Sequence, residues 1–208
     1  MIPKTVVHLL SGGMDSVVLL YDLLDQGHKV HCVLFDYGQR HVKELDFARW
    51  HCSWRDVLYT LVELPQLRGS ELTDGSGGVV VPNRNAILIS IAVNLAIEAK
   101  SDCVTCAANA DDSGTFPDCR REFVAAMNAS VKAAGYDVEI CAPYLDWPKW
   151  KIGAKAQDMR VPITETWSCY RGGEKPCGEC PACVKREAAL PRSIYPWQAA
   201  VIRKLVRW

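Results

Sequence analysis

The chain has 208 residues, a length that suits one domain with at most an appendage and that can bury a core without disulfide staples. Its 24 Lys and Arg balance 24 Asp and Glu, so no net field directs it to nucleic acid or to an anionic membrane surface. Ten cysteines, with no secretion signal at the start and no apolar run near the roughly 20 residues of a spanning helix, read as reduced thiols of a cytoplasmic protein, metal ligands among them.

In chain order, apolar runs rich in β-branched residues alternate with helix-like segments. Residues 5–10 (TVVHLL), 29–35 (KVHCVLF) and 57–64 (VLYTLVEL) are predicted strands, separated by helices over 15–26 and 41–52. That alternation predicts a parallel sheet. Residues 65–83 turn loop-like around the DGSGG at 74–78, and such a stretch is expected to be mobile and to serve as a lid. A helix over 86–100, a buried strand over 101–108, a helix from Pro117 to its stop at Gly135, a strand over 137–143 and a short helix over 148–159 continue the pattern. Two units are expected: 1–165 as the α/β domain, and 166–208 as a cysteine-rich segment followed by a helix. In WQAAVIRKLVRW at 197–208, Arg203, Lys204 and Arg207 flank the apolar Ala200, Val201, Leu205 and Trp208, which suits packing or dimerisation better than RNA.

The first strand gives way to the first helix through Ser11-Gly12-Gly13-Met14-Asp15-Ser16. Glycines let the backbone approach a ligand closely, and the free amides of a helix start favour an anion such as phosphate. The plain alternative is a helix start capped by Ser11 or Asp15. The pattern is neither the Walker loop nor the G-x-G-x-x-G turn. It resembles the PP-loop of the ATP pyrophosphatase superfamily, whose members adenylate a substrate and release pyrophosphate. The resemblance implies a nucleotide site at Leu10, Ser11, Gly12, Gly13, Met14, Asp15 and Ser16, with Asp15 ordering the loop or a Mg²⁺ ion.

Cys169, Cys177, Cys180 and Cys183 are spaced C-x7-C-x2-C-x2-C, which lets four thiolates surround one tetrahedral metal. Zinc is the first choice, and with all four positions filled the site is expected to be structural. An iron–sulfur cluster uses the same ligands. Cys103 and Cys106 are expected as small buried hydrophobes on opposite strand faces, and His8, His31 and His51 as structural residues.

Taken together, SGGMDS, FDYGQRHVKEL at 35–45, VPNRN at 81–85, FPDCRREF at 116–123 and the terminal cysteines make the chain resemble the QueC-type 7-cyano-7-deazaguanine synthases. That family implies a doubly wound, mostly parallel sheet of the adenine nucleotide α-hydrolase kind with a small C-terminal zinc-binding segment. It also implies ATP, Mg²⁺ and Zn²⁺ as cofactors, and a homodimer. The implied reaction turns 7-carboxy-7-deazaguanine and ammonia into the nitrile, through an adenylated carboxylate and then an amide. On the sheet rim, Asp36, Tyr37 and Gln39 are expected at the nucleotide, with Arg40 and His41 at phosphates or the substrate carboxylate. Asp36 as a helix cap and Arg40 as a solvated residue are the plain readings. Arg84 suits a carboxylate or phosphate, and Asn85 caps the helix behind it. Asp118 is expected to read a guanine-like edge, or merely to cap a helix, while Arg120 pairs with the acidic group. Asp15, Arg40 and Arg84 are the expected catalytic residues.

The chain departs from the family's pattern at Asn83, where relatives carry glycine, and in NADDSGTF, where Ser113-Gly114 is displaced and a Thr inserted. Loops 65–81 and 143–166 are also short. These departures raise an alternative: an enzyme that joins the deazaguanine carboxylate to an amine on a protein partner and stops at the amide. Neutral charge and the lack of an added basic domain argue against a tRNA-modifying relative. A zinc-bound interaction module would leave SGGMDS and PDCR without purpose.

Overall fold

The computed structural model describes residues 4–190. The helix expected over 197–208 lies outside the described residues. Five strands, β1 (Thr5–Leu9), β2 (Lys29–Asp36), β3 (Tyr59–Glu63), β4 (Cys103–Thr105) and β5 (Glu139–Cys141), form one sheet in the order β3-β2-β1-β4-β5. Every pairing is parallel, with Val6 opposite Val30 on one side and Cys103 on the other. The expected doubly wound sheet is therefore present, and the chain reverses its direction of travel between β1 and β4.

Side-chain alternation sorts the strands onto two faces. Val6, Cys32, Leu34 and Cys103 pack with α1 (Met14–Asp25), α2 (Glu44–Trp54) and α5 (Lys149–Asp158). Val7, Val33, Phe35, Val104 and Ile140 pack instead with α3 (Arg84–Glu98) and α4 (Arg121–Ala133). Helix α3 has no Gly or Pro and buries Leu88, Ile89, Ala92, Val93 and Ala96 at helical spacing. Helix α1 fully buries Val17, Val18, Leu19 and Leu20, at about 2 kcal/mol per side chain. Its first turn is consequently held firmly against the sheet.

Several boundaries differ from expectation, each for a local reason. The helix expected from Pro117 is a 3₁₀ turn, Pro117–Cys119, and α4 begins only at Arg121. Arg120 is extended (φ −104°, ψ 159°), and its Nε donates to the Ser113 carbonyl at 2.9 Å, so the helix cannot run through. Strand β4 ends at Thr105, leaving Cys106 beyond it, packed on the α3/α4 side, while Cys103 faces α1 as expected. The 65–83 stretch lacks regular structure but does not hang free. The Asp74 carboxylate accepts from the Gly69, Ser70 and Ser76 amides, and the Leu67 amide donates to Tyr37 O. The cap of α3 is Asn83, in the left-handed region at φ 56°, and Asn85 lies inside the helix.

After a 3₁₀ turn at Ile163–Glu165, residues 166–190 carry the four cysteines and α6 (Pro181–Ala189). Arg186 of α6 donates to the Ile163 carbonyl at 2.6 Å and to the Thr166 and Ser168 hydroxyls. The Trp167 amide donates to Gly12 O at 2.9 Å, tying this segment to the glycine turn. No helix among the described residues is long and apolar enough to cross a membrane.

Candidate active site

A cleft of about 280 Å³ opens at the carboxyl ends of β1 and β4. This is the switch point of the sheet, where open α/β folds bind ligands. Leu10, Ser11, Gly13, Met14, Asp15 and Ser16 line it, together with Tyr37, His41, Glu44, Arg84, Asn85, Asp112, Asp118 and Lys149.

The glycine turn is braced from behind. Gly12 has φ +85°, and a Cβ there would lie 2.0 Å from the Glu44 carbonyl oxygen, so only glycine lets α2 seat against it. Gly12 thus faces α2 and not the cleft. Ser11 Oγ lies 3.0 Å from Ser16 Oγ, and Ser16 Oγ donates to Gly13 O at 3.1 Å, closing the turn on itself. The amides at the start of α1 have no acceptors within the helix and sit beside the cleft. His8 fixes the far side of that helix start: Nε2 donates to Ser16 O at 2.9 Å, and Nδ1 accepts from the Thr105 hydroxyl. Burial pushes His8 down to about 4, so it is a neutral brace, as expected of a structural histidine. His51, bound to Tyr21 and Glu165 O, and His31, bound to Thr60, are structural too.

Asp15 is the centre of a charged cluster. Its Oδ2 lies 2.7 Å from Lys149 Nζ and accepts from Asn109 Nδ2 at 3.1 Å, while its buried Oδ1 has no partner. Asp112 lies 2.9 Å from Lys185 and 3.9 Å from Lys149. Burial pulls the Lys149 ammonium down, but Asp15 and Asp112 outweigh it and hold the group above its ordinary value. Lys149 therefore stays charged. Two lysines and the turn amides put on the cleft wall N–H donors of the kind phosphates take, with Asp15 and Asp112 balancing the charge of the lysines. Asp15 Oδ1, an oxygen without a donor, suits a hard cation.

Opposite lie Arg84, Tyr37 and Asp118. Arg84 Nη1 donates to the Tyr37 hydroxyl at 3.2 Å, and its Nε donates to Asn85 Oδ1 at 3.2 Å. Asp118 Oδ1 is buried without a hydrogen-bond partner. A carboxylate oxygen in that state is open to a donor from water or from a ligand.

Other expected site residues sit elsewhere. Asp36 accepts from the Gly38 amide at 3.1 Å, and Gln39 accepts from the Tyr37 amide and donates to Phe35 O, so both shape the turn that carries Tyr37. Arg40 is exposed and donates to Glu71 O at 3.3 Å; Arg120 is exposed and bound to Ser113 O. None of the four lines the cleft. His41 does, but burial and nearby Arg84 lower it to about 4, so it is uncharged and is no cationic phosphate ligand. Glu44, Asp112, Lys149 and Lys185 were not singled out from the sequence. Lys149 had one signal: a lysine in a helix's first turn opposes the dipole and wants another reason to be there.

The four cysteine Sγ atoms lie within 4.8 Å of one another, with Cys177 and Cys183 at 4.0 Å. Four thiolates on a single ion with bonds of about 2.3 Å need nearly that spacing. The Cys177 amide donates to Cys169 Sγ and the Cys180 amide to Cys177 Sγ, each at 3.3 Å. Amide donors of this kind favour thiolates. Backbone amides of Glu179 and Cys180 hold Cys177 down at about 6. The residues therefore fit a single bound metal ion. Gly172 seats this segment against the Arg40 carbonyl, where a Cβ would come within 2.1 Å.

Sheet order, cleft and glycine turn together define a nucleotide-binding α/β enzyme of the PP-loop type. Among solved structures, the chain resembles the U34-tRNA thiolase NcsA from Methanococcus maripaludis with its [4Fe-4S] cluster. The TM-score is 0.53 at 17% identity, covering 99% of this chain and 72% of that one. NMN synthetase from Francisella tularensis gives 0.53 at 13% identity, covering 95% and 77%. At such identities the likeness is one of fold. The family follows from sequence: the chain belongs to the QueC family, whose model, Queuosine biosynthesis protein QueC, matches residues 5–193. The 7-cyano-7-deazaguanine synthase of Caldicellulosiruptor saccharolyticus is 42% identical over 204 residues, covering 88% of this chain and 89% of that protein. That of Hahella chejuensis is 38% identical over 210 residues, covering 93% and 91%.

Proposed function

We propose that this protein is an ATP-dependent carbon–nitrogen ligase that converts 7-carboxy-7-deazaguanine and ammonia into 7-cyano-7-deazaguanine. The observation that carries the reading is that the glycine turn and the unpartnered Asp118 carboxylate face one cleft, alongside relatives of that name over nearly the whole chain. A carboxylate is a poor electrophile. Coupling its oxygen to AMP supplies a leaving group, while pyrophosphate departs toward the α1 amides, Lys149 and Lys185, fixed charges that need no rearrangement as the transition state forms. Asp118 accepts from the N1–H and exocyclic amine of the deazaguanine. Arg84 holds the substrate carboxylate or the α-phosphate as a planar fork. Ammonia then forms the amide, and a second adenylation on the amide oxygen lets the nitrile form as AMP leaves. Holding reactants in line and excluding water accounts for much of the rate, since proximity contributes about 7–11 kcal/mol.

Asp15 would hold Mg²⁺ through its free oxygen, and the ion would neutralise charge on the polyphosphate. Zn²⁺ suits the cysteines: the sulfurs are too close together for a multi-iron cluster, and four filled positions leave none for chemistry. Incubating the protein with ATP, Mg²⁺ and 7-carboxy-7-deazaguanine, with and without ammonium, tests the reading by mass spectrometry. AMP, pyrophosphate and a nitrile are expected. Failure to release pyrophosphate with this acid would overturn it, and a mass shift on a polypeptide would move the acceptor to a protein amine.

A further inference from the structure

Ammonia carries three N–H bonds and a nitrile nitrogen none, so the proposed reaction must remove three protons from one atom. The base that takes them has to line the cleft and must not be held ionised by a cation. Four carboxyl groups qualify by position: Asp15, Glu44, Asp112 and Asp118. Asp15, 2.7 Å from Lys149, is the proposed holder of Mg²⁺ at the polyphosphate, and Asp112 is paired with Lys185 at 2.9 Å. Asp118 is the proposed reader of the purine edge. Glu44 remains.

Glu44 lies in the first turn of α2, 8% exposed. Among the described residues no Lys or Arg nitrogen lies within ion-pair distance of it. Its Oε1 is 3.5 Å from His41 Nε2 and 3.5 Å from Gln39 Nε2. The charged or titratable groups around it are Arg84 from α3 and Tyr37 and His41 from the turn after β2. Burial pushes Glu44 up to about 8, against the pull of Arg84 and Gln39. A carboxylate of that basicity takes a proton near neutral pH and returns it to solvent.

His41 supplies an independent sign of a ligand. It is 6% exposed and lines the cleft beside Glu44, yet its buried Nδ1 has no partner. An orphaned ring nitrogen is costly unless something fills it. A small molecule that both donates and accepts hydrogen bonds satisfies either tautomer.

We propose that His41 and Glu44 form the ammonia subsite, His41 Nδ1 orienting the nitrogen and the Glu44 carboxylate removing the protons it sheds. This rests on the proposed function. The ammonia lone pair attacks the acyl carbon and a C–N bond forms. One N–H proton passes to Glu44, and the C–O bond to AMP breaks with its electron pair on the phosphate oxygen. In the second round the amide oxygen takes the adenylyl group as pyrophosphate leaves. The two remaining protons depart through the same carboxylate as the second C–O bond breaks and C≡N forms.

The test offers the intact enzyme ammonium and hydroxylamine together, with ATP, Mg²⁺ and 7-carboxy-7-deazaguanine, and measures the ratio of hydroxamate to amide plus nitrile. Hydroxylamine is a free nucleophile near neutral pH and depends less on a base. Glu44→Gln is expected to raise the ratio by at least about tenfold. Because a ratio counts only molecules that fold and turn over, misfolding cannot imitate the effect. A ratio within roughly twofold of the parent overturns the base. His41→Leu is expected to raise the KM for ammonium about tenfold with no matching rise for ATP, and an unchanged KM for ammonium overturns the orienting role. Absence of pyrophosphate from the parent enzyme overturns the proposed function instead, so the two failures are distinguishable.

Discussion

Lys149 Nζ rests 2.7 Å from Asp15 Oδ2, joining the first turn of α5 to the first turn of α1 at the mouth of the cleft. The Lys149 amide also donates to Asp111 Oδ2 at 3.0 Å, so the residue is fixed by backbone and side chain alike. With side chains 12% and 16% exposed, both partners are largely out of water. In that setting the pair is worth little against an apolar replacement, but a broken pair is costly.

Lys149→Met should therefore destabilise the protein by about 3 kcal/mol, because it strands the buried Asp15 carboxylate. The double variant Lys149→Met/Asp15→Asn should regain most of that loss and yet remain deficient in pyrophosphate release by about 10²-fold or more. Urea unfolding and a pyrophosphate assay on the same preparations check both. If activity returned together with stability, the pair would be only a structural tie.

Asp118→Asn keeps the side chain's shape but replaces an acceptor with a donor where two substrate donors are expected. The KM for 7-carboxy-7-deazaguanine should rise about 100-fold while that for ATP stays within a few-fold, since mismatched polar groups are rejected strongly. Steady-state pyrophosphate release at varied concentrations of each substrate measures the split. An equal rise in both would remove Asp118 from the purine edge.

What the sequence made legible follows from how far apart the cooperating residues lie. The strands over 5–9, 29–36 and 59–63 and the long α3 announce themselves by local periodicity, and Ser11 to Ser16 carry their pattern within six neighbours. The cysteines do the same through short spacing. Lys149 and Lys185 reach Asp15 and Asp112 only after the sheet has been wound, and no local pattern encodes that convergence. Arg40 misled because FDYGQRH ends on the correct rim, whereas the turn's own hydrogen bonds decide which side chains enter the cleft. Gln39 and Asp36 go to the backbone and Arg40 to Glu71 O, leaving Tyr37 and His41 inside. At Pro117 the helix signal was sound, but an extended Arg120 delayed the start.

The four-cysteine cluster supports the glycine turn at one remove. Cys180→Ala removes one of the four thiols proposed to hold the metal, at the N-cap of α6, and Trp167, packed in the same cluster, donates to Gly12 O at 2.9 Å. The variant should lose its bound metal and about 3 kcal/mol or more of stability, with weaker ATP binding as a consequence. Elemental analysis, thermal melting and nucleotide titration test this in turn. Full metal occupancy in the variant would rule out Cys180 as a ligand.

Acid should unfold this protein sooner than its neutral charge suggests. His8, His41 and His51 are each lowered from 6.5 to about 4, in each case chiefly by burial. The unfolded chain therefore binds up to three more protons than the folded one between these values, and stability falls as pH drops. Glu44 acts the other way: raised from 4.5 to about 8, it is protonated in the fold and ionised when unfolded across the same window. Asp15, raised by burial against Lys149, adds in that direction. Three histidine protons against the one of Glu44 leave a net uptake of up to about two on unfolding near pH 5.5, which Asp15 lessens, so stability should fall by up to about 2.8 kcal/mol per pH unit there. Above pH 6.5 the histidine contribution fades as the unfolded imidazoles lose their protons, and the loss from Glu44 as pH rises toward 8 is opposed by Cys177, held down at about 6, whose thiol is ionised in the fold where the unfolded thiol keeps its proton. Urea midpoints should thus rise between about pH 5 and 6.5 and change much less between about pH 6.5 and 8. A midpoint that climbed steadily into acid would mean that these histidines are charged in the folded protein, and that His41 Nδ1 is not the uncharged, unfilled nitrogen on which the ammonia subsite depends.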